Sequence, residues 1–69
     1  MKHKFVLEVQ LARYDADHRW IRVDWWHSLP PAIDVLRRYL AVRDDLGSCV
    51  FRSARIRYRG LTLRKELSR

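Results

Sequence analysis

From Lys4 the chain alternates, with Phe5, Leu7, Val9 and Leu11 on one side and Val6, Glu8, Gln10 and Ala12 on the other. A period of two predicts a half-buried strand. The polar cluster Tyr14-Asp15-Ala16-Asp17-His18 interrupts it, and alternation resumes with Ile21, Val23 and Trp25 set against Trp20, Arg22, Asp24 and Trp26. Two such runs around a short polar loop predict a hairpin. Ser28-Leu29-Pro30-Pro31 then ends the strand, because proline donates nothing to a ladder but suits the first turn of a helix. From Pro31 the apolar residues Ala32, Ile33, Val35, Leu36, Tyr39, Leu40 and Val42 fall three and four apart, with Asp34, Arg37, Arg38 and Asp44 on the opposite side. This is the one amphipathic helix. Gly47, just past Leu46, is its expected cap, although Asp44 and Asp45 would then sit at the unfavourable negative end of the dipole.

The run from Cys49 to Tyr58 alternates again, with Ala54, Ile56 and Tyr58 opposite Arg55, Arg57 and Arg59. Arg59-Gly60 can form a two-residue turn. Pairing outward from it matches Tyr58 with Leu61, Arg57 with Thr62, Ile56 with Leu63 and Arg55 with Arg64. Every apolar residue then lands on one face, which a one-residue slip would undo. The expected fold is α+β of ββαββ order: a four-stranded, mostly antiparallel sheet with one helix packed on one face and the other face open.

With 69 residues there is room for a single domain, residues 1–69, whose small core leaves it marginally stable. Its hydrophobic fraction of 48% is too high for a disordered chain. The lone Cys49 excludes an internal disulfide and fits a reducing compartment, so the expected location is inside the cell, in the cytoplasm. No apolar run is long enough to span a bilayer, and no membrane partner is expected.

Charge changes the picture most. The net charge is +7. Residues 50–69 hold seven basic side chains (Arg52, Arg55, Arg57, Arg59, Arg64, Lys65 and Arg69) against the single acid Glu66. Residues 1–49 hold eight basic and seven acidic groups. The excess therefore sits on the last hairpin, and the open face is expected to gather Trp20, Arg22, Trp26, Arg55, Arg57, Thr62 and Arg64, with Glu8, Gln10 and Asp24 among them. Arginines neutralise phosphates, and aromatic rings stack on bases or on guanidinium planes. The candidate binding residues are Trp20, Arg22, Trp26, Arg55, Arg57, Arg59, Arg64 and Lys65. Two plainer accounts stand beside this one. In the first, Glu8 and Asp24 pair with the arginines across strands while the tryptophans cover one another; in the second, two copies dimerise through the open sheet.

Other chemistry finds little support. Asp15, Asp17 and His18 could ligate a hard cation, but the further ligands and the glycine of a calcium loop are missing. His3 and His27 lack any zinc-site spacing. Ser28, Ser48, Cys49 and Ser53 carry no nucleophile motif. No enzyme activity, metal or cofactor is expected. Arg37, Arg38 and Arg43 read as the solvated outer face of the helix.

The hairpin–helix–hairpin order, with Glu8-Val9-Gln10 in the first strand, Ser28-Leu29 before the helix, and Gly60-Leu61, Leu63 and Lys65-Glu66 in the last hairpin, resembles the small phage and mobile-element proteins of ββαββ order. In particular it resembles the anti-CRISPR proteins that act on type I surveillance complexes. The resemblance implies a non-enzymatic inhibitor that occupies the nucleic-acid-handling surface of a host nucleoprotein complex. The alternatives are a sequence-nonspecific DNA- or RNA-binding protein using the same arginine-rich hairpin, and a structural module that homodimerises.

Overall fold

The computed structural model describes residues 4–12 and 19–68. The strands β1 (Phe5–Leu11) and β2 (Ile21–Trp26) precede the helix α1 (Ala32–Leu40), and β3 (Phe51–Tyr58) and β4 (Leu61–Leu67) follow it. All four strands form one sheet in the order β2-β1-β3-β4, with every neighbouring pair antiparallel. This is the α+β fold of ββαββ order that the alternation predicts. Residues 14–18, read from the sequence as the first hairpin's loop and weighed there as a cation site, lie outside the described residues, as does His3.

The core forms where the helix crosses the central strands. Leu7 pairs with Ile56 and Val9 with Ala54, and these four are buried with Leu36 and Leu40 of α1. Phe5, Trp26, Ala32, Val35, Tyr39 and Phe51 pack around them. Within the helix, Ala32, Val35, Leu36, Tyr39 and Leu40 recur at helical spacing and make one stripe, which lies over β3 and β4. The opposite sheet face receives no helix.

Three β-bulges depart from simple alternation. Val23 is the extra residue of β2, between Asp24 opposite Leu7 and Arg22 opposite Glu8. Leu63 is the extra residue of β4, between Arg64 opposite Ile56 and Thr62 opposite Arg57. Arg52 is the extra residue of β3. A bulge places two residues against one, so parity reverses beyond it. The Arg59-Gly60 turn and its first two pairs, Tyr58 with Leu61 and Arg57 with Thr62, are as predicted. The next two are not: Ile56 faces Arg64, and Arg55 faces Lys65.

The helix also ends sooner than its apolar pattern. Ala41 is the C-cap, and Arg43 Nη1 donates to the carbonyls of Leu40 at 2.9 Å and Val42 at 3.2 Å. Arg43 then bridges to Cys49, and Val50 N–H donates to Val42 O. Gly47, expected to cap the helix, instead closes a separate turn at φ 80°, its N–H donating to Asp44 O at 3.0 Å. Asp44 has a structural role there: its Oδ1 accepts from the N–H groups of Leu46 and Ser48, each at 2.9 Å. A short acceptor side chain organising local turn amides is what aspartate does well.

Truncation should separate core from surface. Leu36→Ala is expected to lower the unfolding free energy by about 3 kcal/mol. Leu46→Ala, at a side chain 90% exposed, should change it by less than about 0.5 kcal/mol. Urea denaturation of both variants checks this; equal effects would contradict the core as assigned.

Candidate functional site

Strand parity builds the open face from the core outward. Because Leu7, Val9, Ala54 and Ile56 point at the helix, their neighbours Val6, Glu8, Arg55 and Arg57 point away. Paired residues share a face, so Trp25 and Arg57 flank Val6 while Arg22 and Arg55 flank Glu8. Lys65 joins beside Arg55 and Thr62 beside Arg57. Lys4 and Arg59 complete the set, lining one shallow recess with Val6, Glu8, Arg22, Arg57 and Gly60. The cations on this face are thus Lys4, Arg22, Arg55, Arg57, Arg59 and Lys65. Glu8 is the one acid facing them among the described residues.

Glu8 organises the middle of that surface. Arg55 Nε donates to Glu8 Oε1 at 2.8 Å, and Arg57 Nη1 lies 3.8 Å from the same oxygen. The Glu8 and Arg55 side chains are only 15% and 18% exposed, so water screens this pair less than a pair at the surface. Arg55 is held a second time by Trp20, its guanidinium carbon lying 3.9 Å from the ring centroid. Trp20 stands just before β2, at the sheet edge, so this contact ties the start of β2 to a side chain of β3. Lys65 Nζ lies 5.7 Å from the same ring. Guanidinium stacking leaves the in-plane N–H donors open for the carboxylate, which is how Arg55 serves both partners.

The free cations stand on either side. Arg22 and Arg59 have no ion-pair partner among the described residues and are exposed. Lys4 Nζ sits 4.1 Å from the Trp25 ring centroid, and the edge of His27 meets that ring at 4.9 Å.

Three residues assigned to this face by alternation lie elsewhere. Trp26 packs against the core on the helix side, and Asp24, paired with Leu7, shares that side; both line a groove with Pro30, Pro31, Val35 and Tyr39. The Val23 bulge is the cause, and it brings Trp25 to the open face instead. Arg64 also turns to the helix side, through the Leu63 bulge, and its Nη2 is paired with Glu66 Oε1 at 2.9 Å. Of the candidate binding residues, the fold therefore brings together Trp20, Arg22, Arg55, Arg57, Arg59 and Lys65 and separates Trp26 and Arg64. Sequence reasoning missed Lys4 and Trp25. Lys4 was within reach, since it shares the parity of Val6 and Glu8; Trp25 was not, because its orientation depends on the bulge.

Among the described residues Asp24 does not pair with the arginines, while Glu8 does. The cross-strand neutralisation weighed from the sequence is thus half realised, and it leaves the face more basic than simple alternation implies. Among the described residues, no three His, Cys, Asp or Glu side chains are grouped to hold a metal ion, and no helix is long and apolar enough to cross a membrane.

No family model matches this chain, and no curated protein or solved structure is similar enough to count as a match.

Glu8→Gln keeps the side chain's size and removes its charge. It should destabilise the fold by about 1.5–3 kcal/mol, the range for a hydrogen bond to a charged group, read as a lower denaturation midpoint with an unchanged m-value. No change in midpoint would show that Glu8 does not anchor the arginines.

Proposed function

We propose that this is a non-enzymatic binding protein whose open sheet face grips the nucleic acid of a host nucleoprotein complex. It would act inside the cell as an inhibitor of the anti-CRISPR kind that its element order resembles. One observation carries the reading: among the described residues, an uncovered sheet face presents Lys4, Arg22, Arg55, Arg57, Arg59 and Lys65 against Glu8 alone, with Trp20 and Trp25 among them. Cations spread over a surface can each meet a backbone phosphate, and counterion release supplies the affinity. Aromatic rings between them add stacking platforms of the kind used for single strands.

The alternative of direct, sequence-nonspecific DNA or RNA binding uses the same side chains and differs only in needing no host protein. Dimerisation through this face is harder to support. Two copies face to face would bring like charges together with one carboxylate each to offset them, an arrangement that costs rather than stabilises.

The test titrates labelled duplex and single-stranded oligonucleotides at two salt concentrations. If about four phosphates are neutralised, log affinity should fall with log salt at a slope of roughly −3 on single strands and somewhat more steeply on duplex. Arg22→Gln, at an exposed residue with no ion-pair partner among the described residues, is expected to weaken binding about tenfold with little change in stability. Affinity indifferent to salt would overturn the phosphate reading. Binding to a nucleoprotein complex but not to its bare nucleic acid would place the specificity in the host protein.

A further inference from the structure

The open face is not uniform. At the end nearest the Arg59-Gly60 turn it sinks into a recess of about 220 Å³ lined by Lys4, Val6, Glu8, Arg22, Arg57, Arg59 and Gly60. Liquid water takes roughly 30 Å³ per molecule, so a tetrahedral oxyanion fits with part of its hydration. Four cations, Lys4 just ahead of β1, Arg22 on β2, Arg57 on β3 and Arg59 in the turn, line it against one carboxylate, and Arg55 already takes a hydrogen bond's worth of that carboxylate.

Two features show cations placed here at a cost. A guanidinium carries five N–H donors, and among the described residues Arg57 uses few of them: Nη2 donates to Gly60 O, Nη1 stands 3.8 Å from Glu8 Oε1, and the covered Nε has no acceptor. A buried donor without a partner is unfavourable, and the Nη donors that Gly60 and Glu8 leave unused, on a side chain one-third exposed, are open to an anion in the recess. The second feature is the turn. Arg59 has φ 54° and Gly60 φ 81°, the paired left-handed geometry of a type I′ turn, for which Asn-Gly or Asp-Gly is strongly preferred. Arginine at the first position accepts backbone strain that asparagine bears better. A local rule broken beside a recess where four cations share one carboxylate, and where Arg22 and Arg59 have no ion-pair partner among the described residues, points to a ligand.

We infer that this recess is a phosphate-binding site, seating one phosphate group between Lys4, Arg22, Arg57 and Arg59. The inference rests on the reading of the open face as a nucleic-acid surface and narrows it to one anchoring point. The phosphate belongs to a strand's 5′ end or to its interior, and the chemistry of recognition is common to both.

The experiment follows backbone amides and arginine Nε–H resonances of the whole chain by heteronuclear NMR during titration with inorganic phosphate, against sodium chloride at matched ionic strength. Saturable shifts confined to Lys4, Arg22, Arg57 and Arg59 are expected. Arg59→Asn should raise the melting temperature, since it suits the turn, and weaken phosphate binding about tenfold; Arg59→Lys should retain most of the binding. Shifts spread over all surface cations, or the same affinity in Arg59→Asn, would overturn the site. Oligonucleotides with and without a 5′-phosphate assign the source: preference for the phosphorylated end marks a terminal phosphate, and equal binding lost in Arg59→Asn marks an internal one. Phosphate saturation without oligonucleotide binding would sink the broader reading while leaving the site, and oligonucleotide binding unchanged by Arg59→Asn would do the reverse.

Discussion

The antiparallel pairing of β1 with β3 governs both faces of this molecule at once. Leu7 against Ile56 and Val9 against Ala54 make the floor of the core under Leu36 and Leu40. The same register sets Glu8 against Arg55 and Val6 against Arg57 on the far side. Neither arrangement can shift without the other, because a slip of one residue would carry arginines under the helix and leucines into water. The apolar contacts supply the driving force, and the Glu8–Arg55–Trp20 chain of contacts follows from them. The basic face is thus held by the central strands, the most deeply supported part of the fold.

The fold was legible because its period signals are strong: Phe5 through Leu11 and Ala54 through Tyr58 alternate cleanly, and Arg59-Gly60 marks the turn between β3 and β4. What the alternation could not show is where a strand takes an extra residue. Val23 and Leu63 look like ordinary members of their runs, and nothing in their chemistry distinguishes a bulge from a paired position. Each reverses the residues beyond it, which is why Trp26 and Arg64 lie on the helix side while Trp25 and Lys65 face away. The helix end was obscured for a different reason. Val42 continues the apolar spacing, but Arg43 turns back on the last carbonyls and Asp44 gathers the following amides, so local polar bonds win over periodicity.

Those reversals matter for the electrostatics. Had β2 continued without Val23, Asp24 would have stood among the arginines as a second counter-charge. Turning it away, and turning Arg64 toward Glu66, sorts the charges: one cation of the last hairpin is neutralised on the helix side, and the open face keeps a single acid among the described residues. The bulges therefore do more than twist the edge strands. They segregate charge that the sequence leaves mixed.

That segregation separates a solubility explanation from a binding one. A helix of nine residues covers only part of a four-stranded sheet, so the bare face must be polar for the chain to stay soluble. Alternating acids and bases would achieve this, and would gain cross-strand attraction as well. Here the acids are withdrawn, Arg22 and Arg59 are left without partners among the described residues, and Arg59 occupies a turn position that favours another residue. Each of these departures works against stability, in a domain too small to have much of it. Folding and solubility require none of them, whereas a polyanionic partner gains from all of them together: unpaired cations need not be freed from internal partners before they meet phosphate, and a face already fixed by Glu8 and Trp20 loses little freedom when it does.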